Sequence, residues 1–222
     1  MAANQTDELP SLYLIADVAT AEKTGVDLTG VVSQFVAAGG RMVSLRPSAG
    51  ADRDLIEMGK VLSGLVFAAG GTFLVHRRAD VARLVGAHGV HAPGRGFSAG
   101  QVSNVMGTKH LVYGRSCHHR ADVNDVDRTA LSDSTFATLG PLFESVSKSG
   151  YGPEISPGQF RDIARDADIP IYALGGVLPD NVGDCFDAGA RGVAVVGGIL
   201  GAESVAEATT AYLEAIRRAE AV

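Results

Sequence analysis

Residues 171–198 read IYALGGVLPDNVGDCFDAGARGVAVVGG, and this stretch decides the fold class. An apolar run at 171–174 ends in a Gly-Gly pair. Pro179 opens a helical segment that Gly189 closes, and a second apolar run at 192–196 ends in another Gly-Gly pair. Proline at the start and glycine after the end are typical bounds of a helix. The pattern therefore predicts a strand, a helix and a parallel strand, which together form one βαβ unit.

The same alternation recurs along the whole chain. Nearly continuous apolar runs are typical of strands that are buried on both faces of a parallel sheet. Strands are predicted at Leu12–Ala16, Met42–Arg46, Thr72–His76, Gly89–His91, His110–Tyr113, Thr135–Leu139, Ile171–Leu174 and Gly192–Val196. Eight βα units in 222 residues fit a single (β/α)8 TIM barrel. The alternative is an open doubly wound sheet, but its glycine-rich turn is missing after the first strand, where residues 15–18 read IADV.

Composition narrows the function classes. We expect one domain over residues 1–222, with residues 1–10 as a flexible tail. The formal net charge is −6, Trp is absent and aromatic residues make up 6% of the chain. No run of Lys or Arg is present, so these features argue against nucleic-acid binding. No apolar run is long enough for a membrane span.

The cysteine count and the N-terminal residues bear on the cellular setting. Two cysteines, Cys117 and Cys185, are too few for a disulfide framework or a standard zinc site. The first ten residues lack the pattern of a secretory signal, so we expect a cytoplasmic protein. The sequence is compatible with a homo-oligomer. We expect no partner of nucleic acid or membrane.

The two Gly-Gly pairs predict a phosphate site. Gly175-Gly176 and Gly197-Gly198 follow the seventh and eighth predicted strands, and functional groups of a barrel lie on the loops after the strands. Bare backbone amides, together with the start of a short helix after Val196, can hold a phosphate. The alternative is that both pairs serve tight turns that need a positive φ.

Cations and histidines follow other predicted strands. The predicted rim carries Arg46, Arg77, Arg95, Arg115 and Lys148. A basic mouth on an acidic protein favours a small anionic ligand. We expect Arg78 and Arg95 to point into solvent. His118, just beyond a strand and beside Ser116, is the best candidate for proton transfer because histidine titrates near neutral pH. His91 lies within a strand and is expected to pack inside the barrel.

These strand-end residues resemble the thiamine phosphate synthase superfamily of (β/α)8 barrels. The resemblance runs from about Leu12 to Leu200 and is closest to its thiazole tautomerase branch. Residues 114–118 (GRSCH) are similar to the Gly-Arg-Ser-x-His motif of that branch, whose histidine shuttles a proton. Residues 93–98 (PGRGFS) are similar to its Pro-Ser-Gly-Ser-Phe-Ser stretch, and residues 143–148 (FESVSK) to its Phe-Glu-Thr-x-x-Lys loop.

The resemblance implies an isomerase that aromatises a carboxythiazole phosphate by proton transfer, without a cofactor. Its partner would be a small phosphorylated thiazole ligand. The implied catalytic residue is His118. The implied substrate-binding residues are Arg46, His76, Ser116, Ser145, Lys148, Gly175, Gly176, Val196, Gly197 and Gly198. No metal ligand is assigned.

Two alternatives stay open. The first is a thiamine phosphate synthase, which joins thiazole phosphate to a hydroxymethylpyrimidine diphosphate and uses Mg²⁺. Synthases carry magnesium carboxylates after strands three and four, whereas residues 76–78 read HRR and residues 93–96 read PGRG here. After strand two, only Arg46 of the synthase Gln-x-Arg-x-Lys motif is kept. The second alternative is a non-catalytic barrel that binds a phosphorylated ligand.

Overall fold

The computed structural model describes residues 9–126, 134–144 and 155–221. Eight parallel strands pair in chain order and close into a barrel, which confirms the (β/α)8 prediction. The strands are β1 (Leu12–Asp17), β2 (Met42–Arg46), β3 (Thr72–His76), β4 (Gly89–Ala92), β5 (Val112–Cys117), β6 (Thr135–Leu139), β7 (Ile171–Leu174) and β8 (Gly192–Val195). The helices described are α1 (Val18–Thr24), α2 (Leu28–Ala37), α3 (Asp52–Ala68), α4 (Ala79–Leu84), α5 (Ala99–Met106), α6 (Arg120–Asn124), α7 (Pro157–Asp166), α8 (Val182–Asp187), α9 (Gly197–Leu200) and α10 (Val205–Glu220).

The strands are apolar on both faces because each face is covered. The outward faces pack under the helices in one large core. The inward faces form a second, smaller core at the centre of the barrel, made of Tyr13, Ile15, Met42, Leu74, Phe136, Tyr172 and Ala194. Parallel sheets with both faces covered need such continuous hydrophobic runs. This inner core fills the centre of the barrel, and the hydroxyl of Tyr13 joins it to polar side chains of the neighbouring strands.

Helix ends follow the sequence signals closely. Ser156 caps α7 through its hydroxyl, and Pro157 is the first residue of that helix. Pro179 opens a short 3₁₀ turn, Pro179–Asn181, that leads into α8. Gly189 then ends the segment with a φ of 90°. Local caps therefore fix where the chain leaves each helix and turns back towards the barrel.

The fifth strand differs from the prediction. It runs from Val112 to Cys117, whereas the sequence placed it at 110–113. Gly114 faces the barrel interior, where a Cβ atom would come within 3.0 Å of the His91 ring and closer still to Phe136. The glycine thus makes room for two buried rings, and the GRS sequence is a strand rather than a loop.

Some predictions concern residues outside the described ranges. Residues 1–8 of the predicted tail lie outside them, and the single-domain boundary stays a prediction. Across the described ranges, no helix has both the length and the apolar character to cross a membrane. Cys117 and Cys185 are buried free thiols, and burial raises the pKa of each to about 12, so both are inert at neutral pH.

Candidate active site

His118 stands at the mouth of the barrel, directly after β5. Its backbone amide and that of His119 both donate to a carboxylate oxygen of Asp122, at 2.8 and 3.0 Å. Its ring Nδ1 lies 2.8 Å from the carbonyl oxygen of Gly140, at the end of β6. A carbonyl only accepts, so Nδ1 must carry a proton. In the neutral ring Nε2 is then the proton acceptor, with no hydrogen-bond partner among the described residues.

Arg46 and Asp17 form an ion pair on the opposite side of the mouth. They are register partners at the ends of β2 and β1, and Nε of Arg46 donates to Oδ2 of Asp17. Asp17 also accepts from the amide of Thr20 and caps α1. Burial alone would raise the pKa of Asp17, but the hydrogen bonds from Arg46 and Thr20 outweigh it and lower that pKa. Arg46 keeps about a third of its side chain exposed (30%), so it can still face a ligand.

A chain of polar side chains fills the barrel beneath the mouth. The hydroxyl of Tyr13 donates to Oγ of Ser44 at 2.6 Å and lies 2.9 Å from Nδ1 of His91. Nε2 of His76 is 2.9 Å from Oγ of Ser44, and Nε2 of His91 is 3.0 Å from Oγ of Ser116. The rings of His76 and His91 stack at 4.4 Å, with 6° between their planes. We call these five residues the interior chain.

Burial keeps both histidines of the interior chain neutral. Burial is the largest cause of the lowered pKa of His76, and the charges of His91 and Arg46 add to it. The pKa of His91 falls to about 3, from burial first and the Arg46 charge second. Burial also raises the pKa of Tyr13, so its phenol stays protonated. One donor order then satisfies every bond: Ser116 to His91, His91 to Tyr13, Tyr13 to Ser44, and Ser44 to His76.

The first Gly-Gly pair has a structural reason. Gly175 and Gly176 both adopt positive φ, at 96° and 63°. A Cβ atom on Gly176 would lie 2.6 Å from the carbonyl oxygen of Glu144. The loop after β6 therefore packs directly on the loop after β7. The turn interpretation accounts for these two glycines, and a phosphate role stays a prediction.

The second Gly-Gly pair opens α9 after Val196, which is its N-cap residue. The first amides of any helix have no acceptor within the helix. Gly197 is exposed, while Gly198 packs on the hydroxyl end of Tyr212. Gly197 is therefore the more exposed of the two, since Gly198 is half-buried against Tyr212. The predicted binding roles of Val196, Gly197 and Gly198 stay predictions.

Arg115 was expected at the rim, and that expectation is wrong. Alternation along β5 turns Gly114 and Ser116 inward and Arg115 outward, between the barrel and its helices. Its side chain is about a tenth exposed (10%), and NH2 donates to the carbonyl oxygen of Gly94 at 2.6 Å. Arg115 therefore links β5 to the loop after β4 through a hydrogen bond. It does not face the ligand site at the mouth.

The other predicted rim residues divide by position. Arg77 and Arg95 are exposed at the ends of β3 and β4. Arg78 is held by Asp52 and Asp80 outside the mouth, in line with the expectation for it. Ser145 and Lys148 lie outside the described residues, so their predicted roles stay predictions. Two predicted binding residues, His76 and Ser116, lie in the interior chain below the mouth.

The residues after β3 and β4 do not fit a magnesium site. Magnesium needs oxygen ligands, and residues 76–78 and 93–98 contain no carboxylate. The guanidinium groups of Arg77 and Arg95 only donate and cannot coordinate a metal. Within the described ranges, no three His, Cys, Asp or Glu side chains come together in a metal-binding arrangement.

Sequence reasoning missed the partners that organise this site. Tyr13 was part of a strand motif, yet it is the central link of the interior chain. The sequence assigns Asp17 no role beyond its place at the first strand, although it ends β1 beside Arg46. Period-two alternation along β1 points Tyr13, Ile15 and Asp17 inward, and that signal could have found both residues.

The fold and site define a (β/α)8 barrel with a polar, partly cationic mouth at the carboxyl ends of its strands, where barrels of this class place their active sites. The sequence model described as thiamine monophosphate synthase matches residues 12–199, and the chain belongs to this family of thiamine biosynthesis.

Relatives and solved structures agree with the family. A thiamine-phosphate synthase of Roseiflexus sp. is 31% identical over 218 residues, which cover 96% of this chain and 89% of the relative. A thiamine-phosphate synthase of Moorella thermoacetica is 31% identical over 212 residues, covering 95% and 99%. The solved thiamine phosphate pyrophosphorylase from Pyrococcus furiosus superposes with a TM-score of 0.80 at 22% identity, covering 94% of this chain and 96% of the other. That structural likeness shows the fold.

Proposed function

We propose that the chain is a thiazole tautomerase-type isomerase of thiamine biosynthesis, with His118 as its proton-transfer group. The observation that carries this proposal is the bond between Nδ1 of His118 and the carbonyl oxygen of Gly140. It fixes the ring and its tautomer, so a neutral His118 offers Nε2 as a base at the mouth of the barrel. The protonated ring can then return the proton as an acid.

The reaction balances with this one group. A proton leaves a carbon of the carboxythiazole phosphate tautomer to Nε2 of His118, the ring bonds shift, and the proton is returned at another carbon to give the aromatic ring. No atom is gained or lost, and no redox partner is needed. Arg46, exposed beside its partner Asp17, would face the anionic substrate. The amides near Gly197 would hold the phosphate.

A thiamine-phosphate synthase is the second candidate, and the names of the relatives favour it. Two relatives that each align with nearly all of this chain carry that name. The residues after β3 and β4 argue the other way, because arginines stand where the synthase reaction would need magnesium ligands.

A paired assay separates the two candidates. One arm supplies the carboxythiazole phosphate tautomer in EDTA and follows the aromatic product. The other supplies thiazole phosphate and hydroxymethylpyrimidine diphosphate, with and without Mg²⁺, and follows released diphosphate. We expect turnover in the first arm alone. Diphosphate release that depends on Mg²⁺ would establish the synthase instead. Ligand binding with turnover in neither arm would support a non-catalytic, ligand-binding barrel.

A further inference from the structure

Asp17 holds the cation that faces the mouth from behind. It ends β1 and is buried, with 3% of its surface exposed, and its register partner Arg46 ends β2. The two carboxylate oxygens have different partners. Oδ1 accepts from the amide of Thr20 at 2.7 Å, and Oδ2 accepts from Nε of Arg46. Both oxygens are therefore committed, and a ligand at the mouth meets the more exposed guanidinium rather than the carboxylate.

The pair of Asp17 and Arg46 carries no net charge. Burial opposes the ionisation of Asp17, but the hydrogen bonds from Arg46 and Thr20 outweigh it and keep the pKa of this carboxyl below its usual value. Among the residues that the structure describes, Asp17 is the one carboxylate that pairs with Arg46. An anion bound to Arg46 therefore also meets a negative charge behind the guanidinium, and this repulsion grows with the charge of the anion.

The ion pair also fixes which edge of the guanidinium is offered to a ligand. With Nε bound to Asp17, Nη1 and Nη2 remain, and neither has a hydrogen-bond partner in residues 9–126, 134–144 and 155–221. These two nitrogens donate in one plane, as a fork that matches the two oxygens of a carboxylate. Pro47 restricts the backbone of Arg46 to extended conformations, so the fork stands on a fixed strand end.

We propose that Asp17 is a positioning residue that makes Arg46 selective for a single carboxylate over a multiply charged anion. The orientation it imposes on Arg46 favours a planar carboxylate, and its charge disfavours a diphosphate. This inference rests on the proposed function, because the ring carboxylate of the carboxythiazole phosphate is the group that Arg46 would bind. It supplies a reason, separate from the missing magnesium ligands, why this mouth is poorly suited to a diphosphate.

Isothermal titration calorimetry of the full chain tests the proposal without turnover. The two ligands are the aromatic carboxythiazole phosphate and inorganic diphosphate, both in EDTA, and the wild type should bind the first more tightly. Asp17→Asn keeps an oxygen for the Thr20 amide but removes the charge. The ratio of the two affinities should then fall about tenfold or more, because Arg46 loses its charged anchor and diphosphate no longer meets a negative charge.

Glu22→Gln is the matched charge control. Glu22 lies on α1 at the same edge of the barrel, where its Oε1 accepts from the hydroxyl of Ser48 at 3.2 Å. Within the described part of the chain it makes no ion pair with Arg46, so its loss should leave the ratio unchanged. Arg46→Lys keeps the cation without the fork, and the ratio should fall. This second variant keeps the test if Asp17→Asn fails to fold.

Three results would overturn the proposal. They are a wild type that binds diphosphate more tightly, a ratio that Asp17→Asn or Arg46→Lys leaves unchanged, and an equal fall of the ratio in Glu22→Gln. The tautomerase assay separates such a failure from failure of the proposed function. Turnover with an unchanged ratio would remove the role of Asp17 alone. A changed ratio without turnover would keep the selectivity and remove the reaction.

Discussion

The barrel holds histidines at two depths, and their surroundings differ. His76 and His91 lie within the interior chain, stacked on each other and nearly sealed from water, with 7% and 1% exposed. His118 stands half-buried at the mouth, with one ring nitrogen on a carbonyl. The interior pair is neutral because burial lowers the pKa of both rings. Within the described ranges, the hydrogen-bond partners of both rings all belong to the barrel itself. The comparison teaches that position in the barrel, rather than residue type, separates a structural histidine from a candidate catalyst.

The largest expected effect is on turnover at the mouth. His118→Ala should lower kcat of the tautomerase reaction by about 10²- to 10⁴-fold, the usual contribution of a positioned acid–base group. Its thermal unfolding should change little, because the ring is only half-buried and its loss removes one hydrogen bond, to Gly140. His119→Ala, which removes the exposed neighbour, is the control and should keep full activity. Full activity in His118→Ala would remove this residue from the mechanism.

The next effect is the pH dependence of stability, and it comes from the interior pair. The folded-state pKa values of His76 and His91 both lie below the unfolded value near 6.5. As the pH falls, the unfolded chain therefore binds protons at these two residues while the folded chain does not. Stability is therefore full above pH 6.5 and is lost as the pH falls below it. Between pH 7 and 5 each histidine should remove about 2 kcal/mol, and the pair about 4.

Urea unfolding at a series of pH values measures this loss. His76→Asn should lose about half of the acid-induced change, whereas the exposed His119→Gln should keep all of it. A flat profile in the wild type would mean that water or a proton reaches the interior chain in the folded protein. In that case the interior histidines would not be sealed from water, and their surroundings would not differ from those of His118 in this respect.

The third effect is the loss of one hydroxyl at the centre of the interior chain. Tyr13→Phe leaves Ser44 and His91 short of a partner in a sealed space, which should cost about 2 kcal/mol in the free energy of unfolding. Tyr212→Phe is the matched control, because that buried hydroxyl donates to the carbonyl oxygen of Val177 and its loss should cost about 1 kcal/mol. Equal losses of unfolding free energy in the two variants would mean that the Tyr13 hydroxyl is not the central link of the interior chain.

The smallest effect concerns Ser116. It is bonded to His91 in the interior chain and lies on β5, which ends just before His118. Ser116→Ala should lower the free energy of unfolding by about 1 kcal/mol, since Oγ1 of Thr138, 3.4 Å from Nε2 of His91, offers a substitute partner. Ser103→Ala, on α5 outside the barrel, is the control for losing one serine hydroxyl. A large loss of activity at unchanged stability would instead place Ser116 among the substrate-binding residues.

The sequence was sufficient for the architecture because parallel βα units leave a repeated apolar signal. It failed at β5, where Gly114, Arg115 and Ser116 lack strand propensity. Tertiary contacts override propensity there, with Gly114 making room for His91 and Arg115 bonded to Gly94.

The site was only partly predictable for a related reason. Position after a strand selected His118 and Arg46, but it cannot tell whether a side chain points inward or outward, as Arg115 shows. Nor can it show partners from distant strands, such as Asp17 for Arg46 or Gly140 for His118. Those depend on the register of a closed barrel, which the structure supplies.

The central claim is that His118, and not a metal, moves the proton. Imidazole rescue of His118→Ala in EDTA tests it most directly, with the carboxythiazole phosphate tautomer as substrate. The account predicts that activity lost in the variant returns in proportion to the neutral imidazole added, while wild-type activity does not respond. Two results together would contradict the account. Imidazole would fail to restore the variant, and the wild type would turn over only with Mg²⁺, releasing diphosphate.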